Sequence, residues 1–132
     1  MTFELGKVLY SHLVSISELT ELVGNKIYPL IIANTKVTSP YITYAKDGMK
    51  LTESKDRLNR IQTDSFMFQI SADKYDQGIA ICKVLDKNLN HLHGKVEDIE
   101  ITDSVFVSYS EQYTAEEHYV FLLQYNFIIK NS

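Results

Sequence analysis

The sequence predicts an α+β fold: a mostly antiparallel sheet with two helices packed on one face, in the order α-β-β-β-α-β-β-β. Three observations carry this. Apolar residues recur every three to four positions near the start and again after residue 75, the period of a helix with one buried face. The intervening and final stretches alternate apolar and polar residues, the period of a half-buried strand. Consecutive strands are close in sequence, which favours antiparallel neighbours with helices on one side.

The first helix is read from Leu5, Val8, Leu9, His12, Leu13 and Ile16. A second short helical turn follows over residues 17–23, with Ser17 as its cap and Gly24 as its stop. Lys26-Ile27-Tyr28 is a short strand, and Pro29, which cannot donate to a ladder, sets it at an edge. Residues 30–39 form an unusually apolar connection, and Tyr41-Ile42-Thr43-Tyr44-Ala45 is the next strand. Asp47-Gly48 is a turn signal. Residues 53–60, with Lys55, Asp56, Arg57 and Arg60, are an exposed loop or the tip of a long hairpin.

Residues 61–71 are a strand with Phe66, Phe68 and Ile70 on one face. Asp73 then caps a helix whose positive end suits Asp76. Its stripe is Tyr75, Ile79, Cys82, Leu85, Leu89 and Leu92, and Gly94 ends it. Three strands close the chain: residues 96–102, residues 104–110 through Val105, Val107 and Tyr109, and residues 118–130 through Leu123, Tyr125, Phe127 and Ile129. Residues 113–117 join the last two. The final strand is about a dozen residues, long beside the ~5–6 that is typical. A strand of that length is expected to project past the core and meet a neighbour.

At 132 residues the chain fits one domain spanning 1–132. Such a domain buries roughly two-thirds of the surface that the unfolded chain exposes. An apolar fraction of 45% and a charged fraction of 23% argue against disorder. The net charge of -4 argues against nucleic-acid recognition and against an acidic membrane surface. Nine Tyr and six Phe suit half-buried strands. The one cysteine, Cys82, allows no internal disulfide and points to synthesis in a reducing cytosol. The first residues show no basic segment followed by an apolar run, and no stretch approaches the ~20 apolar residues of a membrane span.

Candidate chemistry is sparse. His91-Leu92-His93 supplies two imidazoles where a zinc site needs three or four ligands, and residues two apart on a helix diverge. Cys82 lies in an apolar stripe, the setting of an inert thiol. No Gly-x-Ser-x-Gly elbow and no glycine-rich phosphate loop occur. Asp98 and Glu100 share a strand face, which reads as a solvated face before it reads as an acid–base pair. No catalytic, cofactor-binding or metal-binding residue is assigned, and a small α+β enzyme or ligand-binding domain lacks a convergent polar set in the sequence. The charged residues are instead candidates for a protein interface: Lys46, Lys50, Lys55, Arg57 and Arg60 in one loop, and Glu111, Glu116 and Glu117 in another.

Four pieces of the sequence, in order, resemble the tail-completion or tail-terminator (head-to-tail joining) proteins of long-tailed bacteriophages and prophages. The first is Leu19-Thr20-Glu21-Leu22-Val23-Gly24-Asn25-Lys26-Ile27-Tyr28, where Lys26 stands for a more usual Arg. The second is Pro40-Tyr41-Ile42, opening a strand. The third is the strand ending at Ile70-Ser71, followed at once by an amphipathic helix, with Ile70 where the family often has Trp. The fourth is the closing pair of strands. The resemblance implies a structural protein and no enzyme. It implies a ring of six copies that caps the tail tube, ends its growth and presents a docking surface to the head connector. The implied partners are itself, the tube protein and the head-connector protein. The implied place is the host bacterial cytoplasm during assembly and then the virion. Another head–tail connector or tail component with the same outline is the alternative.

Overall fold

The computed structural model describes residues 2–29, 38–53, 60–115 and 118–131, with the backbone alone described at 53, 60 and 131. In chain order they form α1 (Leu5–Val14), α2 (Ser17–Val23), β1 (Ile27–Pro29), β2 (Tyr41–Glu53), β3 (Arg60–Ala72), α3 (Tyr75–Leu89), β4 (Gly94–Val96), β5 (Ile99–Tyr113) and β6 (Tyr119–Asn131). The strands make one six-stranded sheet in the order β1-β2-β3-β6-β5-β4. Every pairing is antiparallel except β1 with β2.

Three helices are present: the two-helix outline left out the short turn read over residues 17–23, which is a helix of its own, α2 (Ser17–Val23). Ser15 Oγ donates to His12 O at 2.6 Å, and Ile16 turns extended, so α1 stops and α2 starts afresh at Ser17. Ser17 is therefore the first helical residue rather than the cap. Gly24 does end α2, at a φ of 65° that favours glycine. All three helices lie over one face. Tyr44 Oη donates to Gly6 O at 3.1 Å and fixes α1 above β2. His12 Nε2 lies 3.3 Å from Asn88 O, between α1 and α3.

Beneath them the alternation is strict. Phe66, Phe68, Ile70 and Ala72 of β3 and Phe121, Leu123, Tyr125, Phe127 and Ile129 of β6 are buried on the helix side. Their rings interlock: Phe66 meets Phe127 edge-on at 5.7 Å, and Phe68 meets Tyr125 edge-on at 6.0 Å. Pairs of this kind add about 0.5–1.5 kcal/mol each beyond the area they bury. Gly78 lets α3 sit on this layer, since a Cβ there would lie 1.9 Å from Phe121 Cε2. The opposite face carries no helix among the described residues. It is mixed, with Ser65, Gln69, Gln124 and Asn126 beside Met67, Leu122 and Ile128, and Gln124 Nε2 donates to Ser65 Oγ at 2.8 Å across its middle.

Several local expectations are corrected. Asp47-Gly48 is no turn: β2 runs on to Glu53, and the glycine sits at a bulge between Lys46 and Gly48. The N-cap position of α3 is Lys74, without a side-chain cap, and Asp73 N donates to Gln77 Oε1 at 3.3 Å instead. Asp76 does lie in the first turn. Gly94 does not end α3. The helix stops at Leu89, Asn90 is extended, and His91 takes a φ of 57° before β4 begins. The stripe of α3 is Gly78, Ile81, Cys82, Leu85 and Leu89, while Tyr75 is exposed. The expected strands 96–102 and 104–110 are cut differently, with a turn at Glu97-Asp98 and one continuous strand from Ile99 to Tyr113.

Candidate protein interface

The long strand that lacks a partner is β5, not the final one. β6 lies inside the sheet, paired with β3 and β5 along its length. β5 pairs with β6 on one side from Ile101 to Tyr113 but with β4 only over Ile99–Ile101. Just beyond, the segment after α3 covers its outer edge. His91 N donates to Ser104 O at 2.9 Å, and Phe106 N donates to Asn90 Oδ1 at 3.1 Å. From Val107 to Tyr113 no strand meets that edge among the described residues.

This half of β5 is exposed on both faces. Val105, Phe106, Val107, Tyr109 and Tyr113 are 41%, 40%, 45%, 40% and 57% exposed. A bulge between Phe106 and Ser108 re-aims the side chains. Val105, expected to share a face with Tyr109, pairs with Asn126 on the open face, whereas Tyr109 pairs with Leu123 on the helix face. An unpaired edge of this length, lined by aromatic and β-branched residues, is a template for another chain.

On the helix face this edge borders a groove against α3, lined by Ile79, Cys82, Asp86, Phe106, Tyr109 and Glu111. Glu111 is its polar anchor. Tyr75 Oη donates to Glu111 Oε2 at 2.6 Å, and Tyr109 Oη donates to the same oxygen. Those two donors hold the Glu111 carboxyl below the usual range. Burial and the same bond push the Tyr109 phenol up. Tyr125 Oη donates to Asp86 Oδ1 at 2.6 Å from below, and burial pushes that phenol up further. Cys82 is buried, and burial raises its thiol to about 12.

A second hollow, about 660 Å³, lies between α1, β1 and β2. Phe3, Tyr10, Ile27, Tyr28 and Phe66 make its wall, and Lys7 and Lys46 stand at it. It adjoins the stretch of β2 beyond Tyr44, where β1 has ended and no other strand pairs among the described residues.

The candidate interface residues fall in different places. Lys46 is on a strand and is engaged: its Nζ lies 3.0 Å from Asp64 Oδ2, a fully buried carboxylate, and over the Phe66 ring. Lys50 is exposed on β2. Arg60 opens β3 opposite Glu53, its side chain outside the described atoms. Glu111 lies on β5 rather than in a loop. Lys55, Arg57, Glu116 and Glu117 lie outside the described residues. The aromatic row Phe106, Tyr109 and Tyr113 was not proposed as an interface: Tyr109 was read with Val105 and Val107 as one alternating strand face, and Tyr113 as part of the connection to the last strand.

No three His, Cys, Asp or Glu side chains come together to hold a metal among the described residues. His91 Nδ1 instead lies 3.4 Å from Asp103 Oδ1. At the foot of the sheet His118 meets Asp73 at 3.0 Å and Ser39 Oγ at 3.4 Å, both through Nδ1. A nucleophilic relay needs one ring nitrogen for the serine and the other for the carboxylate, so this cluster does not form one.

No family model matches the sequence, and no curated protein matches it. Among solved structures, the fold is similar to that of a chain in the virion of a native gene transfer agent (GTA) particle. The TM-score is 0.75 at 10% identity, over 98% of this chain and 100% of that one. The likeness is one of fold, across the whole of both chains.

Proposed function

We propose that this protein is a structural component of a phage or prophage virion, and that it forms a ring which caps the tail tube, ends tube growth and offers the docking surface for the head connector. The observation that carries this reading is the outer half of β5: a strand edge with no partner among the described residues, set with exposed Val107, Tyr109 and Tyr113, a surface suited to another protein chain rather than to a small molecule. The full-length likeness of fold to a chain of a phage-like particle supports the virion setting, and so does the sequence resemblance to tail-completion proteins. In this role the protein does no covalent chemistry. It acts by shape, as tube subunits meet a closed ring in place of a growing end. Its partners are its own copies, the tube protein and the connector protein, first in the host cytoplasm and then at the head–tail junction.

The test is deletion of the gene from the phage or prophage, with particles viewed by electron microscopy. Overlong or ragged tubes separated from full heads are expected. Tubes of normal length that fail to join heads would move the role to the connector, the second reading that a shared fold leaves open. Normal joined virions would overturn both.

A further inference from the structure

We propose that successive copies in the ring join sheet to sheet: the free edge of β5, residues 107–113, adds antiparallel to the free edge of β2, residues 45–53, of the next copy. The inference rests on the ring reading. Its occupant is a second copy because this chain carries two complementary open edges. On the β2 side the short β1 covers the lower end, Ile42 to Tyr44, and among the described residues no strand covers the upper end. On the β5 side β4 and residues 90–92 cover the upper end and leave the lower end open. β5 runs opposite to β6, and β6 runs with β2, so the added ladder is antiparallel.

The two open edges are offset, and the offset has the size a closed barrel needs. Ser110, in the middle of the free β5 edge, stands level with Leu122, Gln69 and Thr43. The middle of the free β2 edge is Met49, five to six residues further up once the bulge is counted. A step of roughly 18 Å along the strands for every four strands, roughly 19 Å across, tilts them by roughly 43°. Closed barrels tilt by about 35–45°.

The surfaces beside the seam match. On the helix face β5 presents Tyr109, Glu111 and Tyr113, two exposed rings and a carboxylate. The β2 edge presents Met49 and Leu51 beside the apolar hollow at which Lys7 and Lys46 stand. Tyr113 fills that hollow and Glu111 faces its lysines.

Cysteine cross-linking of the intact protein tests the seam. Ser110→Cys on one preparation is mixed with Lys50→Cys or Thr52→Cys on another and oxidised at high concentration. Positions 50 and 110 of one chain lie three strands apart across the sheet and six β3 residues apart along it, roughly 24 Å in all, too far for a disulfide within a copy. Disulfide dimers are expected from the mixtures and not from either preparation alone, and the double variant Ser110→Cys/Lys50→Cys or Ser110→Cys/Thr52→Cys should close into covalent rings. A dimer from Ser110→Cys alone would replace this seam with a β5–β5 contact. Rings in native mass spectrometry without these cross-links would overturn the seam and leave the capping role standing. Neither rings nor cross-links at any concentration would overturn the seam. Cross-linked rings from a gene whose deletion leaves normal virions would keep the seam and overturn the role.

Discussion

β6 and β5 are paired neighbours with opposite fates. Along β6 every second side chain, from Phe121 to Ile129, is buried under the helices. Along β5 burial stops at Ser104, and nothing in its outer half falls below the surface. Both strands carry aromatic and β-branched residues and both exceed a dozen residues. The difference lies in what stands over them: α3 packs on β3 and β6 and meets β5 at its margin, where Tyr75 Oη donates to Glu111 and Ser104 Oγ donates to Leu89 O. The stability of the domain is therefore concentrated in β2, β3 and β6, and β5 is free to be shaped for contact.

The contrast breaks or holds first at the aromatic layer. Phe127→Ala should cost about 3–5 kcal/mol in urea unfolding, while Val107→Ser on β5 should stay within about 0.5 kcal/mol and still weaken ring formation in native mass spectrometry. Equal costs would erase the division. Gly78→Ala comes next, since a methyl at 1.9 Å from a fully buried ring has nowhere to go. It should lose about 2–3 kcal/mol, read from the same midpoints.

Two lysines on β2 sharpen the comparison within one strand. Lys46→Ala strands the buried Asp64 carboxylate and should cost about 2 kcal/mol. Lys50→Ala should leave thermal unfolding unchanged. The smallest effect is alkaline. Burial raises Tyr44 from 10.0 to about 12 and Cys82 from 9.0 to about 12. Such groups support the fold fully below their unfolded values and lose that support as pH rises toward 12. Circular dichroism should show unfolding that begins near pH 9–10, and Tyr44→Phe should shift its onset upward.

Much of this was legible in the sequence, and the failures have physical causes. β3, β6 and the helical period of α3 were readable because each buries one face, so their alternation is a direct print of the core. Asp47-Gly48 misled because glycine serves a bulge as readily as a turn, and only the partner strand decides. β5 misled for the converse reason. Val105, Val107 and Tyr109 alternate as though facing a core, yet a bulge splits them and each stays 40% or more exposed. Alternation reports that a surface is to be covered, without saying whether by the same chain. The lysine and glutamate candidates were chosen for charge, whereas the edge is marked mostly by rings.

The lone thiol gives this fold a built-in clock. Cys82 lies under the lip of the groove between α3 and β5, buried and, at a raised value of about 12, almost entirely protonated at neutral pH. Alkylation of that thiol should be slow in the folded protein and speed up whenever the groove between α3 and β5 widens, so the labelling rate follows its opening with no introduced probe.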